Sequence, residues 1–301
     1  MPSYEFVTVD VFTDRRFGGN PLAVFPAASG LSDADMQALA REFNYSETTF
    51  VLPPERPEHT ARVRIFTPAG ELSFAGHPNV GTGYVLARRH VGGDRLTFEE
   101  RAGLVEVRLQ RGPAAEISGA EIAAPQPLST GAEVDADLVA RAAGLMPTDV
   151  RRDTHPPLVA GVGTPFVFAE LAGLDALSRA RPSAEAFAAA AARHGDPGID
   201  FSLHLYVRDP AQPRYLRARM FAPLIGVPED PATGSANAAL AALLLHVAPG
   251  APAELQFNIE QGEEMGRPSL LRAVARRAPG GAVHATVAGN CVPVLRGWVD
   301  L

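Results

Sequence analysis

The 301-residue chain contains no lysine at all, so its 27 basic residues are arginines. Without an ε-amine there can be no Schiff base to a carbonyl substrate or pyridoxal phosphate, and no P-loop lysine on a nucleotide phosphate. Cysteine is almost as scarce. The single one, Cys291, excludes an intrachain disulfide framework, cysteine-rich zinc sites, CxxC redox pairs and any racemisation that needs two facing thiols. Positive charge is short as well: the formal net charge of −7 leaves no face able to neutralise a run of phosphates, so nucleic acid is not an expected partner. No stretch approaches the ~18 unbroken apolar residues of a membrane span. The opening MPSYEFVTVDVF lacks the charged and apolar regions of a secretory signal, so a cytoplasmic protein without a membrane partner is expected.

What remains is a turn-rich globular composition, 46% hydrophobic with 28 glycines and 27 prolines, long enough for two domains at roughly 150 residues each. Val7, Val9 and Val11 alternate with Thr8, Asp10 and Phe12, the period of a strand. A second strand is expected over Leu22 to Phe25, after the Gly18-Gly19 turn. Leu31, Ser32, Asp35 and Met36 are laid out as a capping box with a hydrophobic staple. Met36, Leu39, Ala40 and Phe43 continue the helical period, predicting a helix from about Asp33 to Phe43 that stops at Asn44. Glu47 then stands at the junction with a strand beginning Thr48-Thr49-Phe50-Val51.

The chain also reads itself twice. Arg64-Ile65-Phe66-Thr67-Pro68 returns as Arg219-Met220-Phe221-Ala222-Pro223, 155 residues on, and His77-Pro78-Asn79-Val80-Gly81-Thr82 aligns with Asp230-Pro231-Ala232-Thr233-Gly234-Ser235, 153 residues on. Each copy runs into an apolar helix, Gly83 to Arg89 and Ala236 to Leu245, which predicts two similar lobes joined near Ala123-Ala124-Pro125-Gln126-Pro127. Pro279-Gly280-Gly281 marks a second break, and Ala184 to Arg193, after Ser183 as N-cap, reads as a surface helix.

Helices starting near Asn79 to Thr82 and near Ala232 to Ser235 would present free backbone N–H groups and the positive ends of their dipoles, which suits a small carboxylate. Beside them stand His77, Asp230 and Ser235, with Glu47 the nearest plausible acid from elsewhere. A glutamate with a reference pKa of about 4.3, lifted by catalytic burial to roughly 6–7, both accepts and returns a proton. Taken singly, each residue has a plain reading: Glu47 a solvated junction, His77 and Asp230 helix caps or turn formers, Ser235 a hydroxyl that satisfies a backbone donor. His59, His90, His194 and His284 show no ligand spacing, so no metal is expected, and Gly81-Thr82-Gly83 lacks the third glycine of a dinucleotide fingerprint.

Taken together, Gly19-Asn20-Pro21-Leu22-Ala23-Val24-Phe25, Ser46-Glu47-Thr48, Arg64 to Pro68, Phe74-Ala75-Gly76-His77-Pro78, Asp230 to Ser235 and Gln261-Gly262 to Gly266-Arg267-Pro268-Ser269 resemble the phenazine-biosynthesis PhzF-like family. The resemblance implies an α+β, diaminopimelate-epimerase-like fold of two pseudo-symmetric lobes, each a curved, mainly antiparallel sheet around a central helix. The C-terminal strand would return to the first lobe, giving residues 1–124 plus about 288–301 against 125–287, with the active-site cleft between them. The resemblance further implies a cofactor-independent isomerase and homodimer. Glu47 would be the acid/base, with His77, Asp230 and Ser235 completing the catalytic set, and Asn20, Gly76, Asn79, Val80, Gly81, Thr233 and Gly234 binding substrate. The expected substrate is a small carboxylate, cyclic in the dihydro-hydroxyanthranilate case. The competing reading is a non-catalytic binding protein on the same fold; a scaffold is disfavoured because no heptads or exposed apolar helix faces stand out.

Overall fold

The computed structural model describes residues 2–89, 93–194 and 200–301, so His90 lies outside the described residues. The chain forms two compact units, residues 1–123 with 288–301, and residues 124–287.

Unit 1 contains β1 (Ser3–Val11), β2 (Asn20–Phe25), α1 (Asp33–Phe43), β3 (Glu47–Leu52), β4 (Ala61–Phe66), β5 (Glu71–Leu72), α2 (Gly76–Arg88), β6 (Arg95–Glu100), β7 (Gly103–Arg111) and β8 (Ile117–Ala123). Unit 2 contains β9 (Ser129–Glu133), α3 (Ala136–Ala142), β10 (Leu158–Gly161), β11 (Pro165–Glu170), α4 (Leu174–Arg179), α5 (Ala184–His194), β12 (Leu203–Asp209), β13 (Gln212–Ala222), β14 (Val227–Asp230), α6 (Gly234–Val247), β15 (Glu254–Gln261) and β16 (Ser269–Arg277). β17 (Val283–Asp300) begins in unit 2 and ends in unit 1, where Cys291 to Asp300 pair antiparallel with β1.

Helix α1 has the predicted bounds for the predicted reasons. The Ser32 hydroxyl accepts the Asp35 N–H and the Asp35 carboxylate accepts the Ser32 N–H, while Asn44 adopts the left-handed conformation at φ 51°. Helix α5 is less of a surface element than its alanines suggest, because Phe187 and Ala190 are fully buried. Pro279-Gly280-Gly281 is the turn between β16 and β17.

The pairing scheme is duplicated. β1–β2 are antiparallel, β2–β3 parallel, β3–β4 and β4–β5 antiparallel, β4–β6 parallel and β6–β7 antiparallel. The same sequence of senses runs through β10–β11, β11–β12, β12–β13, β13–β14, β13–β15 and β15–β16. The fold is thus α+β, with a mostly antiparallel sheet in each unit. Each sheet packs on one helix that is buried all round: α2 is buried from Gly76 to Leu86, and α6 is buried over nearly all of Gly234 to Leu245.

The repeat register differs from the sequence alignment past the strands. The helices begin at Gly76 and Gly234, 158 residues apart, whereas the Arg64 and Arg219 strands are 155 apart. Three extra residues are taken up around the 3-10 turn Pro223–Ile225 between β13 and β14. The counterpart of His77 is therefore Ser235, and Asp230, paired with Met220, matches Leu72, paired with Ile65. The duplicated Arg-x-Phe motif has a structural role. Arg64 binds Glu71 at 2.8 Å over the Phe66 ring, and Arg219 binds Glu229 at 2.7 Å over Phe221, fastening the strand pair that leads into each helix.

Helix α2 also starts earlier than expected. Its cap is Ala75 and its first turn holds Gly76, His77 and Pro78. Proline is tolerated there because its φ is helical and its absent N–H would be unpaired anyway. Asn79, Val80 and Gly81 consequently lie in the hydrogen-bonded ladder, so their amides are paired along the helix. Gly81 serves packing: a Cβ there would stand 2.6 Å from Leu22 Cδ2 and 2.8 Å from Val11 Cγ2. Gly81→Ala is expected to lower the thermal midpoint by a few degrees, because overpacking costing about 1–3 kcal/mol outweighs the ~1 kcal/mol gain in helix propensity. An unchanged midpoint would show that the sheet yields at no cost.

Candidate active site

In unit 1 the site grows from the β2–β3 pair and the first turn of α2. Leu22 and Glu47 are parallel partners, so Glu47 leaves the strand end one residue past Pro21 on the neighbouring strand. The Ser46 hydroxyl donates to Asn20 Oδ1 at 2.8 Å, tying the approach to Glu47 to the start of β2. His77 is the second residue of α2. Its Nε2 lies 3.4 Å from Glu47 Oε2, and the two side chains are only 6% and 15% exposed. The imidazole also hydrogen-bonds the Pro21 backbone. Proline offers only a carbonyl, so the ring donates in that bond.

Burial pushes the His77 pKa down to about 3, with the Pro21 bond opposing this only in part. The ring is therefore neutral near pH 7 and its one N–H is spent on Pro21. That leaves the Nε2 lone pair turned toward the Glu47 carboxyl. Two acceptors face each other unless a single proton lies between them, so this geometry favours a carboxyl that takes up a proton.

Asn79 donates its Nδ2 to the Ala75 carbonyl, the carbonyl of the cap residue of its own helix, at 3.0 Å. Gly76 is buried at the first helical position.

In unit 2 Asp230 ends β14 and accepts the Thr233 hydroxyl at 2.5 Å. Thr233 caps α6, Gly234 is its first residue, and Ser235 its second, half-buried. The organiser here is Gln261, which entered the sequence reading only as part of a motif. It is buried, accepts from the Thr233 N–H and from Asn237 Nδ2, and donates to the Asp230 carbonyl and the Thr233 hydroxyl. Ser269 closes the loop by donating to the Pro231 carbonyl at 3.0 Å. The spacing between Gln261 and Ser269 therefore clamps the Asp-Pro-Ala-Thr segment, a relation between residues far apart in the chain. Gln261→Ala is expected to cost roughly 2–4 kcal/mol by stranding the Thr233 and Asn237 donors, read as a lower denaturant midpoint at unchanged slope. A loss under ~1 kcal/mol would mean that water replaces the amide.

Among the described residues no three His, Cys, Asp or Glu side chains are grouped to hold a metal. His59 pairs with Glu99 at 2.7 Å. Cys291 is buried, and burial pushes its thiol up, far from a reactive thiolate. Among the described residues no helix is long and apolar enough to cross a membrane.

The chain as a whole is similar to known proteins. The family model described as phenazine biosynthesis-like protein matches residues 9–297. An uncharacterized isomerase of Mesorhizobium japonicum is 38% identical over 301 residues, covering 99% of each chain. The trans-2,3-dihydro-3-hydroxyanthranilate isomerase of Pseudomonas fluorescens is 37% identical, over 99% of this chain and 100% of its own. The crystal structure of a Bacillus anthracis phenazine biosynthesis protein of the PhzF family superposes with a TM-score of 0.89 at 24% identity over the whole of both chains. With the family model and both relatives spanning nearly the full length, the chain belongs to the PhzF-like, phenazine biosynthesis-like family of isomerases.

Proposed function

We propose that the protein is a cofactor-independent isomerase that moves a proton within a small cyclic carboxylate of the dihydro-hydroxyanthranilate type, with Glu47 as the acid/base. The observation that carries this reading is the secluded contact between Glu47 and a neutral His77. Ionised Glu47 removes a proton from a saturated ring carbon. The released electron pair spreads through the adjacent double bonds toward the substrate carboxylate, and Glu47 returns the proton to another carbon of that system. Nothing is oxidised and no group leaves. His77 Nε2 accepts the hydrogen of the protonated carboxyl, keeping it oriented between the two transfers.

The carboxylate of the substrate suits the free N–H groups at the start of α2, where the dipole favours an anion. Asp230, Thr233, Gly234 and Ser235 enter the proposal as the polar groups at the start of α6. Asp230 is suited to an amino group, since its carboxylate is already fixed in orientation by the Thr233 hydroxyl. The 37% identity to the Pseudomonas fluorescens enzyme supports trans-2,3-dihydro-3-hydroxyanthranilate as the first compound to try.

The test is to incubate the protein with that compound in heavy water and follow both by proton NMR. Isomer formation with deuterium entering at the reprotonated carbon is expected, at less than full incorporation if the carboxyl is shielded from solvent. Binding without any exchange would reject the catalytic role.

A further inference from the structure

The duplication reveals a mismatch beneath the two helix starts. β6 runs parallel to β4, with Arg62 against Glu99, as β15 runs parallel to β13, with Ala218 against Gln261. One residue further along β6, Glu100 reaches the place that Gln261 fills in unit 2. The asparagines above them also correspond: Asn79 and Asn237 each donate Nδ2 to the carbonyl of their helix cap, Ala75 and Thr233, at 3.0 Å. Asn237 donates again to Gln261 Oε1 at 2.7 Å. In unit 1 the group in that position is a carboxyl instead of an amide.

The carboxyl is poorly served as an anion. Both Glu100 oxygens and Asn79 Oδ1 are buried without a well-formed hydrogen bond. Asn79 is the polar side chain that meets the carboxyl. The charged groups on the surrounding elements are engaged elsewhere: Arg62 with Glu55, Arg64 and Arg101 with Glu71, Glu99 with His59, and Glu106 with Arg95 and Arg108. On α2 the titratable groups are His77, which is neutral, and Tyr84 with Arg88, which contact each other. Among the described residues no cation is therefore left to balance a charge on Glu100. A proton resolves the mismatch, since the acid O–H can donate to Asn79 Oδ1 while the other oxygen accepts from Nδ2, as Gln261 Oε1 accepts from Asn237 Nδ2 in unit 2.

We propose that Glu100 is a positioning residue, held as the neutral carboxylic acid, which fixes Asn79 and the first turn of α2 and so keeps His77 against Glu47. This rests on the acid/base reading of Glu47 and His77. Ionisation of Glu100 breaks the acid–amide pair, loosens that turn and ends turnover on the alkaline side. The loop beyond β6 shares the load, because the Ala102 N–H donates to the Ser73 carbonyl just ahead of the helix. Burial raises the Glu100 pKa to about 8, which agrees with a neutral acid near pH 7. The unfolded chain gives up this proton near 4.5 and the native protein near 8, so native stability is lost as pH rises through that window.

Wild type, Glu100→Gln and Glu47→Gln separate the claims. Between pH 6 and 9 the wild-type thermal midpoint should fall by several degrees relative to Glu100→Gln, and Glu47→Gln should fall with wild type. With trans-2,3-dihydro-3-hydroxyanthranilate, wild-type kcat should drop about tenfold from pH 7 to 9, while Glu100→Gln stays within about threefold of its pH 7 value and KM moves little in either. The Asn79 side-chain amide NMR signals should shift with a midpoint near 8 in wild type and stay put in Glu100→Gln. Parallel melting curves, static amide signals, or an alkaline loss of kcat that persists in Glu100→Gln would each overturn the assignment. If no variant turns the compound over, the substrate reading fails, and the melting curves and amide signals still decide the role of Glu100.

Discussion

Glu47→Gln should lower turnover by about a thousandfold or more while leaving the protein folded. General acid/base groups contribute roughly 10²–10⁴ in rate, and here a single carboxyl performs both transfers, so the upper part of that range applies. The fold should tolerate the change because a glutamine amide can donate to the His77 Nε2 lone pair, 3.4 Å from the present carboxyl oxygen. Its thermal midpoint should stay within a few degrees of wild type. The measurement is isomer formation together with deuterium uptake from heavy water. A variant that keeps a tenth of the activity would remove Glu47 from the proton path. Glu47→Asp, which withdraws the carboxyl by one methylene, should fall between the two, since proton transfer depends steeply on reach.

The second large effect is acid destabilisation through two histidines kept neutral by burial. His77 and His204 are both pushed down to about 3, each chiefly by desolvation; Asn237 opposes the shift at His204, which also packs edge-on to Phe168 with ring centroids 5.5 Å apart. In the unfolded chain these rings take up a proton near 6.5; in the native protein they do so only near 3. Their contribution to stability is therefore complete above pH 6.5 and lost as pH falls toward 3. At about 1.4 kcal/mol per pH unit, each histidine costs roughly 4–5 kcal/mol by the bottom of that window. Typical native stability is only about 5–15 kcal/mol, so acid unfolding should be well advanced by pH 4. Carboxylates bound to cations or amides, such as Glu99 at about 2, lose their contribution only below about 4.5 and act later in the same direction. Comparing His204→Gln with wild type between pH 6.5 and 5 isolates the histidine. The variant should lose clearly less of its thermal midpoint over that interval, and matching slopes would show that His204 titrates normally in the native protein. Since Glu100 works in the opposite sense, stability should peak near pH 6.5.

Much of this was legible along the chain because the signals are local. Capping of α1 depends on Ser32, Asp35 and Asn44, all within one short segment. The apolar run of α6 reports burial directly, and the strand period at Val7 to Val11 located β1 although Thr8 and Asp10 on its other face are buried as well. The family motifs brought Glu47 and His77 forward although 30 residues separate them, and the absence of lysine and of a second cysteine had already closed off imine and two-thiol chemistry. The start of α2 was expected near Asn79 to Thr82, whereas Pro78 already stands in its first turn. The three residues inserted before β14 likewise slid the second motif out of register, making Asp230 look like the repeat counterpart of His77 when Ser235 holds that position.

Other properties exist only once strands are paired. The neutrality of His77 comes from its burial and from a carbonyl on β2, neither of which is a property of histidine in Gly-His-Pro. Gln261 organises the start of α6 from a strand 24 residues further on than Asn237, and Glu100 becomes a buried acid because the parallel register of β6 on β4 carries it under Asn79. Composition and motif thus determined the family, the elements and the list of candidate groups, because these depend on residue type and short-range spacing. Tertiary structure decided which of those groups are protonated, which amides are free and which side chain holds another in place, because dielectric environment and hydrogen-bond partners are set by neighbours distant in the chain.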